Sequence, residues 1–175
     1  MNVKFRTLFA DEIEVRVAQI TEKGVQLLLY KDARCDMNIL DETVGPMNWQ
    51  RKHGRENANC TVLIWDEEKR EWVGKEDTGT ESNTEAEKGL ASDSFKRACV
   101  NWGIGRELYT APFIWIPAGK VDIKESTFNG KTKYKTFDAF EVQKIAYDPR
   151  KNIVGIAIRN AKTKNLVYLW QKENP

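Results

Sequence analysis

Hydrophobic positions along the chain recur at two spacings, and the changes of spacing mark out its elements. Leu8, Ile13, Val17 and Ile20 fall on one face at helical spacing, which predicts a helix over residues 7–19, begun by Thr7 or Asp11 and ended by Lys23-Gly24. Val25 to Tyr30 is a short apolar run that suits a buried strand. A second helix is predicted over Ala33 to Val44, with Met37, Leu40 and Val44 on one side and Gly45-Pro46 as its stop. The texture then turns to strands: Asn48–His53, Asn59–Trp65 and Glu71–Lys75, with Asp66–Arg70 between the last two, read as a three-stranded antiparallel meander. Thr80 to Asn101 carries the strongest helical pattern. Ala91, Phe95, Ala98 and Trp102 form its apolar stripe, Ser82/Glu85 and Thr84/Glu87 are two candidate capping boxes, and Gly103 ends it. Pro112–Pro117 is rich in large apolar residues and is followed by a Lys-rich stretch, 120–135. Strands are predicted over 136–146, 153–159 and 166–170, joined by turns at Asp148-Pro149-Arg150 and Lys162–Asn165.

This order predicts an α+β fold in which an antiparallel β-meander packs on a long helix, a β-β-β-α core, with a C-terminal β-rich extension. Residues 1–117 form the core region and 118–175 a basic extension, with Pro112–Pro117 as the boundary. Of the 175 residues, 41% are hydrophobic, enough to bury a core and to exclude wholesale disorder. Apolar runs such as Leu27–Tyr30 fall far short of the roughly 18 residues that cross a bilayer. The N-terminus lacks the roughly 7–15 apolar residues of a signal peptide, so a cytoplasmic location is expected. Cys35, Cys60 and Cys99, without CxxC spacing, read as reduced thiols and indicate neither a disulfide framework nor a zinc site.

The net charge of +2 conceals an asymmetry. Residues 1–117 hold 16 basic and 20 acidic side chains, whereas 118–175 hold 12 and 6. Such an imbalance hints at a polyanionic partner.

Enzymatic constellations are thin. His53 is the only histidine and reads as a surface residue in a strand. No GxSxG, HExxH or Walker-type loop is present, and Gly103-Ile104-Gly105 follows a helix where a dinucleotide loop would follow a strand. No cofactor, metal or catalytic residue is therefore assigned. Glu76, Asp77 and Glu85 are the carboxylates a small metal-dependent nuclease would use, although Glu85 and Glu87 also suit the first turn of a capped helix. On the long helix, Lys88, Ser92 and Lys96 stack four apart, as do Asp93 and Arg97. Lys96-Arg97 is thus a cationic pair opposite the apolar stripe, readable as a solvated face or as a phosphate contact. Lysines 120, 124, 131, 133 and 135 read as a basic arm or a hairpin gripping a phosphate backbone, interleaved with Phe128 and Tyr134 as stacking platforms.

The segment Ser94-Phe95-Lys96-Arg97-Ala98-Cys99-Val100-Asn101-Trp102-Gly103-Ile104-Gly105-Arg106-Glu107-Leu108-Tyr109 resembles the signature helix and turn of the Rad52/Rad22 single-strand DNA annealing family, in particular its bacterial and phage branch. Ile39 to Trp49, in which a short helix runs into Gly-x-x-Asn-Trp, is similar to a second block of that family. The resemblance covers roughly residues 7–117. It implies that Lys96 and Arg97 line a DNA-binding groove, that Arg34 matches a family arginine ahead of the short helix, and that Arg16 matches one on the first helix. The next basic position along the signature helix is Val100 here. Lys133 and Lys135 join the candidate DNA contacts from the charge pattern alone. The implied activity is ATP-independent binding and annealing of single-stranded DNA, in recombination, repair or phage replication, by a homo-oligomeric ring. A single-strand-binding protein or an exonuclease would be its companion. A metal-dependent nuclease and a basic protein-binding adaptor domain stand as alternatives.

Overall fold

A computed structural model describes residues 3–80, 86–129 and 131–173, with side chains for all of these but 86–88 and 128. The architecture is α+β, with eleven strands and two α-helices among the described residues. The chain divides into two compact units, Met1–Thr7 with Lys31–Arg106, and Leu8–Tyr30 with Glu107–Pro175.

In the first unit, α1 (Ala33–Val44) is capped by Asp32, whose carboxylate accepts the Cys35 N–H at 2.8 Å. It buries Cys35, Ile39, Leu40 and Val44. Its end is fixed by the next residues: Asn48 donates its side-chain amide to the Val44 carbonyl, and the Trp49 indole donates to Asp41 at 2.6 Å. The antiparallel meander β3 (Trp49–Gly54), β4 (Asn59–Asp66) and β5 (Glu71–Thr78) follows. Cys60, Val62 and Ile64 alternate with half-buried positions along β4 and are fully buried, so one face of this sheet belongs to the core. Helix α2 (Ala86–Trp102) buries Leu90, Phe95, Ala98 and Cys99. The Phe95 ring stacks on Trp49 at 6.1 Å, and the Trp102 indole donates to the Val62 carbonyl at 2.9 Å. A Cβ on Gly79 would lie 2.6 Å from the Ser94 nitrogen and 2.9 Å from the Leu90 carbonyl oxygen; only glycine lets the chain leaving β5 pass this close to α2. The two capping boxes expected at the start of α2, Ser82/Glu85 and Thr84/Glu87, lie outside the described side chains.

The second unit is a six-stranded antiparallel sheet in the order β11-β10-β9-β1-β2-β6, with a separate β7–β8 hairpin. Its strands are β1 (Glu14–Thr21), β2 (Gly24–Tyr30), β6 (Ile114–Pro117), β9 (Phe140–Tyr147), β10 (Ile153–Asn160) and β11 (Leu166–Gln171). The hairpin is β7 (Ile123–Phe128) and β8 (Lys131–Thr136). The helix predicted over residues 7–19 is absent; Ala10–Glu12 form one 3₁₀ turn and β1 follows. In Glu14-Val15-Arg16-Val17-Ala18, β-branched residues alternate with others, a period-2 pattern that prevails over the sparse helical spacing of Leu8, Ile13, Val17 and Ile20. The core of this unit is Leu8, Val25, Leu27, Ile114, Ile116, Ile153, Ile156 and Ile158, all at most 2% exposed. Leu8 is held by polar partners as well, its N–H donating to buried Glu107 and its carbonyl accepting from the Tyr147 hydroxyl at 2.9 Å. The Tyr168 hydroxyl of β11 donates to the Phe113 carbonyl just ahead of β6, which draws the two edge strands toward each other.

Candidate nucleic-acid interface

Helix α2 displays the predicted cationic pair. Arg97 is exposed, and its guanidinium lies 3.4 Å from the Asp77 carboxylate on β5. It does not use the Asp93 partner that helical spacing suggests. Asp93 instead accepts the Thr80 N–H at 2.9 Å, tying the chain after β5 to the helix. Lys96 is half-buried. Beneath it sits an ion pair unusual in its burial: the Lys31 ammonium (5% exposed) donates to Asp36 (0% exposed) at 2.5 Å and to the Lys96 carbonyl at 3.3 Å. One ammonium thus links the start of α1 to the middle of α2. Asp36 Oδ2 has no hydrogen-bond partner among the described residues. Burial pushes the Asp36 carboxyl up to about 7, against the pull of the Lys31 charge and hydrogen bond and of the Lys96 charge.

The C-terminal end of α2 gathers more cations. Gly103 (φ 101°) closes the helix in a Schellman arrangement, its N–H donating to the Val100 carbonyl and that of Ile104 to Cys99. The exposed Arg106 guanidinium caps the same end, donating to the Val100 carbonyl at 3.0 and 2.8 Å and to Asn101 at 2.9 Å. The exposed Lys75 ammonium of β5 donates to the Asn101 carbonyl at 2.9 Å and lies 4.6 Å from the Trp102 ring centre. On the other side, the Arg51 guanidinium of β3 covers the Phe95 ring at 5.0 Å. Lys75, Arg106 and Arg51 are missed by sequence reasoning. Alternation along β3 and β5 carries the signal for Arg51 and Lys75, whereas nothing local marks Arg106, three residues past the helix stop.

Arg34, the remaining candidate in this unit, stands in the first turn of α1 with its side chain 85% exposed and the Asp32 carboxylate 3.3 Å away. Arg16 lies in the other unit, on strand β1 where the resemblance implied a helix. It pairs with Glu14 at 2.6 Å, and its guanidinium is 4.6 Å from the Tyr30 ring centre. Lys133 and Lys135 are exposed on β8. Period-2 alternation puts them on one face of the hairpin with Lys131 and, across the strands, Lys124. Lys135 lies 5.2 Å from the exposed Phe137 ring, and Lys124 pairs with Asp122 at 2.9 Å. Tyr134 does not interleave with these lysines. It points to the opposite face, where it lines a shallow acidic hollow with Glu22, Asp122 and Glu125. The Phe128 side chain lies outside those described.

The other reactive groups are occupied or quenched. Both oxygens of Glu76 accept hydrogen bonds, from Asn59 and from Thr61, and Asp77 accepts from Arg97 and Asn101. Among the described residues no three His, Cys, Asp or Glu side chains are placed to hold a metal ion. Burial and then the Arg51 charge lower the His53 pKa, which keeps the imidazole neutral at pH 7. Cys35, Cys60 and Cys99 are buried cysteines outside any disulfide. Burial pushes Cys60 up to about 11 and Cys99 well above the ordinary thiol value. Among the described residues no helix is long and apolar enough to cross a membrane.

No curated protein and no solved structure matches the chain. A family model, the Rad52/22 family double-strand break repair protein, matches residues 8–128, which take in β1, β2, the meander, both helices and the candidate cations of α1 and α2. The chain belongs to the Rad52/22 family of double-strand break repair proteins.

Proposed function

We propose that this protein binds single-stranded DNA and anneals complementary strands without ATP, in recombination-dependent repair or phage replication. The observation that carries the reading is the Lys96-Arg97 pair on α2, inside the span that matches a double-strand break repair family. In this reading the meander and α2 form the groove. Phosphates lie against Lys96, Arg97 and Arg34, while bases stay unstacked and available to a complementary strand. Arg16, Lys133 and Lys135, which belong to the second unit, are separate candidate phosphate contacts. Neutralising phosphates releases counterions, so binding falls steeply with salt and is largely indifferent to sequence. Annealing then needs neither a nucleophile nor a nucleotide, because the protein supplies preorganisation of one strand and reduced repulsion of the other. A homo-oligomeric ring would repeat the groove around its rim, and a single-strand-binding protein or an exonuclease would deliver the strand.

The test is annealing of complementary labelled oligonucleotides without ATP, by wild type and by Lys96→Ala/Arg97→Ala. The double variant is expected to lose at least tenfold in rate while keeping its circular dichroism and its oligomeric state. Normal annealing by a folded double variant would remove Lys96 and Arg97 from the site. Mg²⁺-dependent loss of label would favour a nuclease, and a protein with no affinity for oligo-dT would favour an adaptor domain.

A further inference from the structure

We infer that Arg106 and Lys75 are nucleic-acid-binding residues that carry the phosphate track of Lys96 and Arg97 past the C-terminal end of α2. The inference rests on the reading of α2 as a single-strand-binding surface, and it begins from a difficulty that surface would face. A helix C-terminus presents unsatisfied carbonyls and about half a negative charge, which repels phosphate. Lys96 and Val100 are four residues apart, as are Arg97 and Asn101, so each cation leads along its own row to one of the terminal carbonyls.

Those two carbonyls are the ones the structure covers with cations. Arg106 places two N–H groups on Val100 and one on Asn101, and Lys75 places its ammonium on Asn101. Both side chains are exposed, so each row ends in an accessible positive charge where the bare helix would end in a negative one. Arg106 arrives from beyond the Gly103 turn and Lys75 from the neighbouring strand, and the two converge on adjacent residues. Neither has a carboxylate within 4 Å among the described residues. The Asp77 carboxylate is 3.4 Å from Arg97 and is shared with the Asn101 amide. Of the four cations Lys75, Lys96, Arg97 and Arg106, only Arg97 has a carboxylate within 4 Å among the described residues. Trp102 lies under Lys75, an aromatic ring beside the track.

The measurement is the salt dependence of oligo-dT affinity for the full-length wild type, Arg106→Gln, Lys75→Gln, Arg106→Lys and Lys96→Ala, with thermal midpoints taken in parallel. Each lost phosphate contact lowers the log–log slope by about 0.7, so Arg106→Gln and Lys75→Gln are each expected to lower it by about that amount. Arg106→Lys, which keeps the charge without the fork, is expected to retain the wild-type slope. If Arg106 merely caps the helix, Arg106→Gln lowers the thermal midpoint and leaves the slope unchanged, which overturns its assignment. Lys75→Gln gives the same decision should Arg106→Gln fail to fold. A slope lowered by Lys96→Ala but by neither glutamine variant overturns this inference alone. Absence of salt-dependent binding by folded wild type overturns the underlying reading along with it.

Discussion

At the scale of single residues, the least conspicuous side chains in the sequence proved the most constrained. Lys31 and Asp36 look like ordinary members of a charged helix start, and nothing local reveals that α2 closes over them. A buried ion pair of this kind contributes less to stability than well-packed apolar residues often would; here its ammonium reaches both α1 and α2. It also makes stability depend on pH. The folded Asp36 carboxyl titrates near 7, against 3.8 for the unperturbed group. Folded protein therefore holds a proton that the unfolded chain releases across this interval. This contribution is fully present below about pH 3.8 and is lost as pH rises through 7. Urea unfolding at pH 5.5 and pH 8.0 should show wild type losing stability relative to Asp36→Asn at the higher pH, because the amide does not titrate. Equal differences at both pH values would mean that Asp36 is ionised throughout. Lys96 and Arg97, by contrast, were legible: their place opposite the Phe95 stripe follows from helical spacing. Their partners were not, since Arg97 reaches across to β5 and leaves Asp93 to hold Thr80.

At the scale of elements, legibility followed the strength of the local signal. Helix α1 spans Ala33–Val44, as its apolar face and Gly45-Pro46 stop predict, and the central strand of the meander takes in the β-branched segment Asn59–Trp65. The miss at residues 7–19 has a physical cause. Four apolar residues spread over thirteen positions fit a helix loosely, whereas Val15 and Val17 fit a strand closely, and pairing of β1 with β2 from Glu14/Tyr30 to Thr21/Gly24 decides the matter. Glycine carries a second kind of information that periodicity ignores. Gly79 stands outside the hydrophobic pattern, and its role is a close approach to the α2 backbone. Gly79→Ala should therefore cost about 1–3 kcal/mol through overpacking, read as a lowered urea midpoint. Gly54→Ala is the control, because a Cβ there meets nothing within 4 Å. Equal effects of the two substitutions would show that the approach to α2 adds no cost.

At the scale of the whole molecule, chain order and compact units part company. Strand β1 pairs with β9 through Glu14 and Glu141, a contact that no local pattern discloses, and this joins residues 8–30 to 107–175. Charge redistributes accordingly. The first unit holds 14 basic and 15 acidic side chains and the second 14 and 11, so the contrast of −4 and +6 along the chain shrinks to −1 and +3. Net charge is then a poor guide to where a polyanion binds, and local constellations must decide. Two compete, one in each unit: the cations of α2, and the lysine face of β7–β8, where among the described residues Lys131, Lys133 and Lys135 have no carboxylate within 4 Å. Replacing those three lysines with glutamine leaves the hairpin backbone pairing intact and removes about 2 from the log–log salt slope of oligo-dT binding if a strand contacts all three. Lys96→Ala/Arg97→Ala removes about 1.4 on the same footing. The reading proposed for α2 requires the α2 variant to lose annealing as well as slope, whereas the hairpin variant should lose slope while annealing persists at low salt. A hairpin variant that abolishes annealing while the α2 variant anneals normally would move the primary site to the second unit.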